Sequence, residues 1–214
     1  MTSREQILTS IRTALGRTEG DAATPLPPPM LRVPLMDPKA LVETFVQNFE
    51  KLAGKSIVVG AASDVVPALV QIVQGKRVVA SNAPYLETCG VRAMPGIQTG
   101  FTDPSAWREA CVSADVGITS VDYALAQTGT FVMLASAQEA RLASLLPLTH
   151  VAVIPRSRIV ANLDTLFGIL PAPAEQTSSM VFITGPSRTA DIEQILVRGV
   201  HGPGEVYAVI VEQD

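Results

Sequence analysis

Residues 56–80 read SIVVGAASDVVPALVQIVQGKRVVA. Ser56-Ile57-Val58-Val59-Gly60 is a short apolar run, Val65 to Val73 follows at helical spacing, and Arg77-Val78-Val79-Ala80 is apolar again. This strand–helix–strand order extends both ways along the chain. Upstream, Leu41, Val42, Phe45, Phe49 and Leu52 mark an amphipathic helix ending near Gly54. Downstream, Pro104 to Ser113 reads as a helix, with proline tolerated in its first turn. Val116-Gly117-Ile118-Thr119 and Thr130-Phe131-Val132-Met133-Leu134 read as strands, Ala137 to Leu146 as a helix, and His150 to Ile154 as a strand. Ser157 to Leu170 reads as mostly helical, Met180 to Ile183 as a strand, Thr189 to Val197 as a helix, and Val206 to Val211 as the last strand. Asn82 to Asp103 is punctuated by Pro84, Gly90, Pro95, Gly96 and Gly100 and reads as loop. Continuous apolar strands between amphipathic helices predict an α/β fold, a mostly parallel open sheet with helices on both faces. Such sheets hold ligands at the carboxyl ends of their strands.

Residues 1–37 precede this alternation. Ile7, Leu8, Ile11 and Leu15 recur at helical spacing, Ser3 and Gln6 have capping-box spacing, and Gly16 is a natural stop. Pro25, Pro27, Pro28, Pro29, Pro34 and Pro38 then crowd an extended linker. The division expected is an N-terminal helix with a proline-rich linker over 1–37 and an α/β domain over 38–214. The helix is an arm that packs on the body, packs on another subunit to form an oligomer, or stays mobile.

Composition narrows the function. Of 214 residues, 47% are apolar and 17% charged, which excludes a mainly disordered chain. A net charge of -4 speaks against general nucleic-acid binding, while leaving room for a local basic pocket for a small anion. No apolar run reaches the roughly 18 residues of a membrane span. The most apolar long stretch, Val116 to Ala135, is broken by Asp122 and Gln127. Met1-Thr2-Ser3-Arg4-Glu5-Gln6 opens no secretory signal, so the expected location is cytoplasmic, with no membrane partner. Cys89 and Cys111 form no C-x-x-C pair, and this chain alone lacks the four thiolates of an ordinary iron–sulfur cluster. With two histidines, His150 and His201, no metal site is expected. Gly54-Lys55-Ser56 resembles the end of a P-loop, but Phe49 stands where its first glycine belongs and the fragment precedes a strand.

Three constellations remain. Ile183-Thr184-Gly185-Pro186-Ser187-Arg188-Thr189-Ala190-Asp191 runs from a strand through a glycine turn into the expected helix start. Free amide donors there, beside Ser187, Arg188 and Thr189, suit a phosphate or carboxylate; ordinary capping by Ser187 or Thr189 accounts for the same residues. Gly117 to Thr130 places Asp122 in apolar surroundings that penalise an unpaired carboxylate. Thr128, Gly129 and Thr130 then offer donors to a ligand in a cleft wall; the alternative is a polar turn capped by Asp122. His201-Gly202-Pro203-Gly204 forms a tight connection in which His201 either moves a proton or holds the loop. Arg141 and His150 bracket Leu145-Leu146-Pro147 in a similar way. The segments around Thr130 and Arg188 are expected to fold into one electropositive cup at the strand tips.

Gly117-Ile118-Thr119, Ala126-Gln127-Thr128-Gly129-Thr130, Arg141 with Ser144-Leu145-Leu146-Pro147, Ile183 to Glu193 and Gly199-Val200-His201-Gly202-Pro203 together resemble the lactate-utilisation LutC/YkgG family, the LUD domain. The likeness spans roughly residues 38 to 214. It implies a fold similar to the sugar-phosphate isomerase and CoA-transferase superfamily. It also implies a role in oxidising L-lactate to pyruvate with two iron–sulfur partner proteins, this chain being the cluster-free component. A redox cofactor for that chemistry is not encoded here and its identity is unknown. The family often carries Glu where this chain has Gln127, and an amide cannot act as a general base. In the leading reading a small carboxylate, or a partner's cofactor, lies near Thr128-Gly129-Thr130 and Gly185–Arg188, with Arg188 pairing bidentately and His201 moving the hydroxyl proton. The alternatives are an ATP-dependent folate cyclo-ligase-like enzyme, with nucleotide phosphate cradled at Gly185–Thr189, and a non-catalytic regulatory or scaffold subunit.

Overall fold

The computed structural model describes residues 2–18, 20–22, 36–138, 141–190 and 196–213. They fall into two units, Met1–Arg32 and Val33–Asp214. Pro25, Pro27, Pro28, Pro29, Pro34 and Asp191 lie outside the described residues.

The first unit holds helix α1, Ser3–Ala14. Its capping box sits one residue earlier than the Ser3–Gln6 spacing predicts. Thr2 Oγ1 accepts the Glu5 N–H at 3.4 Å, and the Glu5 carboxylate accepts the Thr2 N–H at 2.6 Å. A charged acceptor makes the stronger bond, and it also complements the positive end of the helix.

The second unit runs α2 (Pro38–Lys51), β1 (Lys55–Ala61), α3 (Val65–Val73), β2 (Val78–Ala80), α4 (Pro84–Thr88), β3 (Ile97–Gln98), α5 (Pro104–Ser113) and β4 (Val116–Ser120). It continues with β5 (Tyr123–Leu125), β6 (Thr130–Leu134), α6 (Leu142–Leu145), β7 (Thr149–Pro155), β8 (Ile159–Val160) and α7 (Leu163–Ile169). Last come α8 (Pro173–Gln176), β9 (Met180–Ile183), β10 (Arg188–Ala190), β11 (Leu196–Arg198) and β12 (Glu205–Gln213). Asp37 caps α2, its carboxylate accepting the Lys39 and Ala40 N–H groups at 2.9 Å, with Pro38 in the first turn.

Six strands form the parallel sheet in the order β1-β12-β7-β4-β2-β3. Alternate residues serve opposite faces, as a pleat requires. Val116, Ile118, Val151, Val153 and Val209 pack against α3 and α4 through Val65, Leu69 and Leu86. Ala152, Ile154, Ala208 and Ile210 pack on the other face against α2. Val79 meets Trp107 and Cys111 of α5. The α/β class is as the alternation predicts, with helices on both faces.

The second sheet, β8-β5-β6-β9, is the main departure. Thr130–Leu134 and Met180–Ile183 are strands, but they pair antiparallel with each other outside the parallel sheet. Phe131 and Met133 turn toward α2 and the parallel sheet, while Val132 turns toward Leu166 of α7. Phe45, Phe49 and Phe131 form a fully buried aromatic cluster with centroids 5.1–5.5 Å apart.

Three expected helices change. Ser157 to Leu170 divides into a 3-10 turn, β8 and α7, with the Asn162 side chain accepting the Thr165 N–H at 2.9 Å. Of Ala137 to Leu146 only α6 is helical among the described residues. Thr189 to Val197 does not start as a helix, because β10 pairs antiparallel with β11. The Ser187 N–H donates to Pro203 O and the Gly199 N–H to Ser187 O, so both ends of the segment are tied together. The two strands satisfy their backbone groups by pairing with each other above this closed base. The expected loop from Asn82 to Asp103 contains α4, a 3-10 turn and β3.

Candidate functional site

Strand order reverses between β2 and β4: from β2 the chain proceeds to the edge strand β3, whereas from β4 it proceeds the other way, through β7 to β12. Outside the carboxyl ends of these two strands is a cavity of about 260 Å³, lined by Pro84, Tyr85, Ser120, Asp122, Gln138 and Arg158 among others. This is the position at which open parallel sheets bind ligands.

Asp122 stands where the chain leaves β4 for the second sheet. The Leu134 N–H donates to its carboxylate at 2.7 Å, and the Asp122 N–H donates to Val132 O at 3.1 Å. Burial pushes this carboxyl up, against the Leu134 N–H and the Arg158 guanidinium, which pull it down. Arg158 follows β7 as Asp122 follows β4, and its Nη1 donates to Val121 O at 3.1 Å. One guanidinium arm is thus anchored in the wall. A planar cation beside a desolvated carboxyl can bind a small anion and exchange a proton with it.

The other residues singled out in the sequence gather elsewhere. Thr130 Oγ1 lies 2.8 Å from Thr128 Oγ1 and 2.9 Å from Thr184 Oγ1. Gly129, at φ 59°, lies so close to α2 that an added Cβ would sit 2.4 Å from the Phe49 nitrogen. A Cβ on Gly185 would sit 3.0 Å from Leu52 O, and the Arg188 guanidinium donates to that same carbonyl. The segments around Thr130 and Arg188 therefore meet on the C-terminal turn of α2, the negative end of that helix, where Arg188 complements its carbonyls. Ser187 neighbours Gly202, and His201 is exposed on the connection before β12. These residues gather at the amino end of the parallel sheet rather than at its strand tips. Asp122 bonds to Leu134, four residues along β6 from Thr130, or about 13 Å away. Thr189 is in β10, so the amide donors of a helix start, on which the nucleotide-phosphate reading of Gly185–Thr189 depends, are not formed there.

Arg158, Tyr85 and Gln138 escaped the sequence reading. Position is the one signal for Tyr85 and Arg158, which lie shortly beyond apolar strands β2 and β7 of the parallel sheet, whereas Gln138 follows β6 of the second sheet and carried no such signal. Three buried side chains are not among those lining the cavity. His150 Nε2 is 2.8 Å from Thr119 Oγ1, and burial lowers its pKa to about 3. Cys89 and Cys111 are buried free thiols, Cys111 being pushed up to about 12 by burial. Among the described residues, no group of three His, Cys, Asp or Glu side chains could hold a metal ion. No helix among them is long and apolar enough to cross a membrane.

The family model of the LUD domain matches residues 42–211. The chain belongs to the LUD domain family. The match covers both the parallel sheet and the second sheet, so the LUD domain includes the crevice and the Thr130–Arg188 region. Lactate utilization protein C of Halalkalibacterium halodurans is 42% identical over 108 residues, 49% of this chain and 47% of that protein. The protein of the same name from Exiguobacterium sp. is 40% identical over 114 residues, 51% of this chain and 50% of that one. That of Macrococcus caseolyticus is 37% identical over 129 residues, 55% and 56% of the two chains. The LUD domain chain thus spans about half the length of the curated relatives it matches. In fold it is similar to a crystal structure of a DUF162 family protein from Deinococcus radiodurans, with a TM-score of 0.63, 17% identity, and coverage of 83% of this chain and 99% of that one.

Proposed function

We propose that this LUD domain chain is the cluster-free component of a cytoplasmic system that oxidises L-lactate to pyruvate, and that it holds the carboxylate in the crevice between β2 and β4. The relatives' shared name supports the substrate. The observation that carries the site is Asp122 and Arg158 lining one cavity at the reversal of strand order. Arg158 offers its remaining N–H groups to the substrate carboxylate. Asp122, its basicity raised by burial, accepts the hydroxyl proton as the substrate carbon is oxidised. In this reading Asp122 takes the role that the sequence suggested for His201. The C2 hydrogen leaves with its electron pair as hydride to a redox cofactor held by the partners, from which the two electrons pass one at a time to their iron–sulfur clusters.

The test is calorimetric titration of the full chain with L-lactate. Saturable binding is expected, weakened about tenfold or more by Arg158→Gln, the worth of one charged hydrogen bond. Absence of binding, or indifference to that substitution, overturns the site. Lactate oxidation by the isolated chain with an artificial electron acceptor overturns the assignment as a cluster-free component.

A further inference from the structure

A second cavity, of about 230 Å³, adjoins the crevice and shares Ser136 and Gln138 with it. Phe101, Pro104, Trp107 and Ala137 contribute its apolar walls. The Phe101 and Trp107 rings lie 5.3 Å apart at 55°. Asn82, just beyond β2, ties the surrounding loops together. Its Nδ2 donates to Phe101 O at 2.7 Å, its Oδ1 accepts the Gly100 N–H at 2.8 Å, and its backbone N–H donates to Gln138 O at 3.0 Å. Among the described residues no Lys or Arg lines the cavity, and Asp103, which does, caps α5 by accepting the Ala106 N–H. A second anion finds no cationic partner among these described residues.

Trp107 is 8% exposed, and its indole N–H has no acceptor among the described residues. Buried donors are nearly always paired, so this one calls for explanation. The face of an aromatic ring is one acceptor of the right kind. Apolar walls, an indole donor and a shared border with the crevice that holds Arg158 together define a bifunctional ligand.

We infer that this cavity receives the ring of an aryl-substituted 2-hydroxy acid whose carboxylate lies on Arg158. The inference rests on the carboxylate reading of the crevice and extends its substrate class from lactate to aromatic analogues. The ring packs among Phe101, Trp107 and Ala137, which line the cavity.

Trp107 is the only tryptophan in the chain, so its emission reports on this cavity directly. The full chain is titrated with L-lactate, 3-phenyllactate and benzyl alcohol, following heat and tryptophan emission. Phenyllactate is expected to bind roughly tenfold or more tightly than lactate, from burial of the ring. It also changes the emission, while lactate leaves it nearly unchanged and benzyl alcohol binds weakest. Ala137→Phe, at an exposed position, fills the cavity and removes the advantage of phenyllactate while lactate binding is retained. Phenyllactate binding no better than lactate, unchanged emission, or an advantage that survives Ala137→Phe overturns the inference and leaves the crevice reading standing. Benzyl alcohol binding as tightly as phenyllactate overturns the bifunctional ligand in favour of a separate ring-bearing molecule. Failure of both acids to bind overturns the crevice reading and the inference together.

Discussion

His150 is fully buried between two strands of the parallel sheet, with Phe131 edge-on at 6.4 Å and Thr119 as its hydrogen-bond partner. Its folded pKa of about 3 lies below the ordinary value of 6.5. Between these values the unfolded chain binds the proton and the folded chain does not. Stability is therefore greatest above 6.5 and declines as pH falls toward 3. The expected loss by about pH 5 is about 2 kcal/mol. Urea midpoints at about pH 7 and about pH 5 measure it, and His150→Asn should remove most of the difference. Asp122, raised by burial, acts with the opposite sign and gains stability on acidification. Asp122 was legible in the sequence because a carboxylate among apolar residues demands a reason. Arg158 was not, since an arginine after a strand looks like any solvated charge until the strand is placed in the sheet.

Elements meet through side chains whose purpose no local pattern discloses. Asn48, near the end of α2, donates to Ala126 O at 2.9 Å and Gln127 O at 3.0 Å, tying the β5–β6 hairpin to that helix. Asn48→Ala leaves the enclosed Ala126 carbonyl without this partner and should cost about 1–2 kcal/mol. A lower urea midpoint with an unchanged slope is the expected observation. The longer strands were readable from continuous apolar runs. β5 and β8 were not, being three and two residues long, too short to show a period. The segment from Thr189 misled because its apolar spacing suits a helix, while the bonds from Ser187 to Pro203 and Gly199 close the base of the paired strands β10 and β11.

At the scale of the molecule, the hydrophobic cores draw on no described residue before Leu41. Deleting residues 1–32 should therefore leave the second unit folded, with its thermal midpoint shifted by less than about 3 °C. A larger drop in calorimetry would show that the arm contributes to the core. Alternation of apolar strands and amphipathic helices was enough to establish the α/β class, because burial on both faces imposes that pattern on any parallel sheet. The likeness of the C-terminal motifs to the LUD domain was equally a property of the chain alone. Tertiary structure decided which strands share a sheet, which end of it each loop occupies, and hence that Arg188 closes a helix while Arg158 lines a crevice. Hydrophobic patterning states only that a face is buried; which partner buries it depends on packing among segments far apart in the chain.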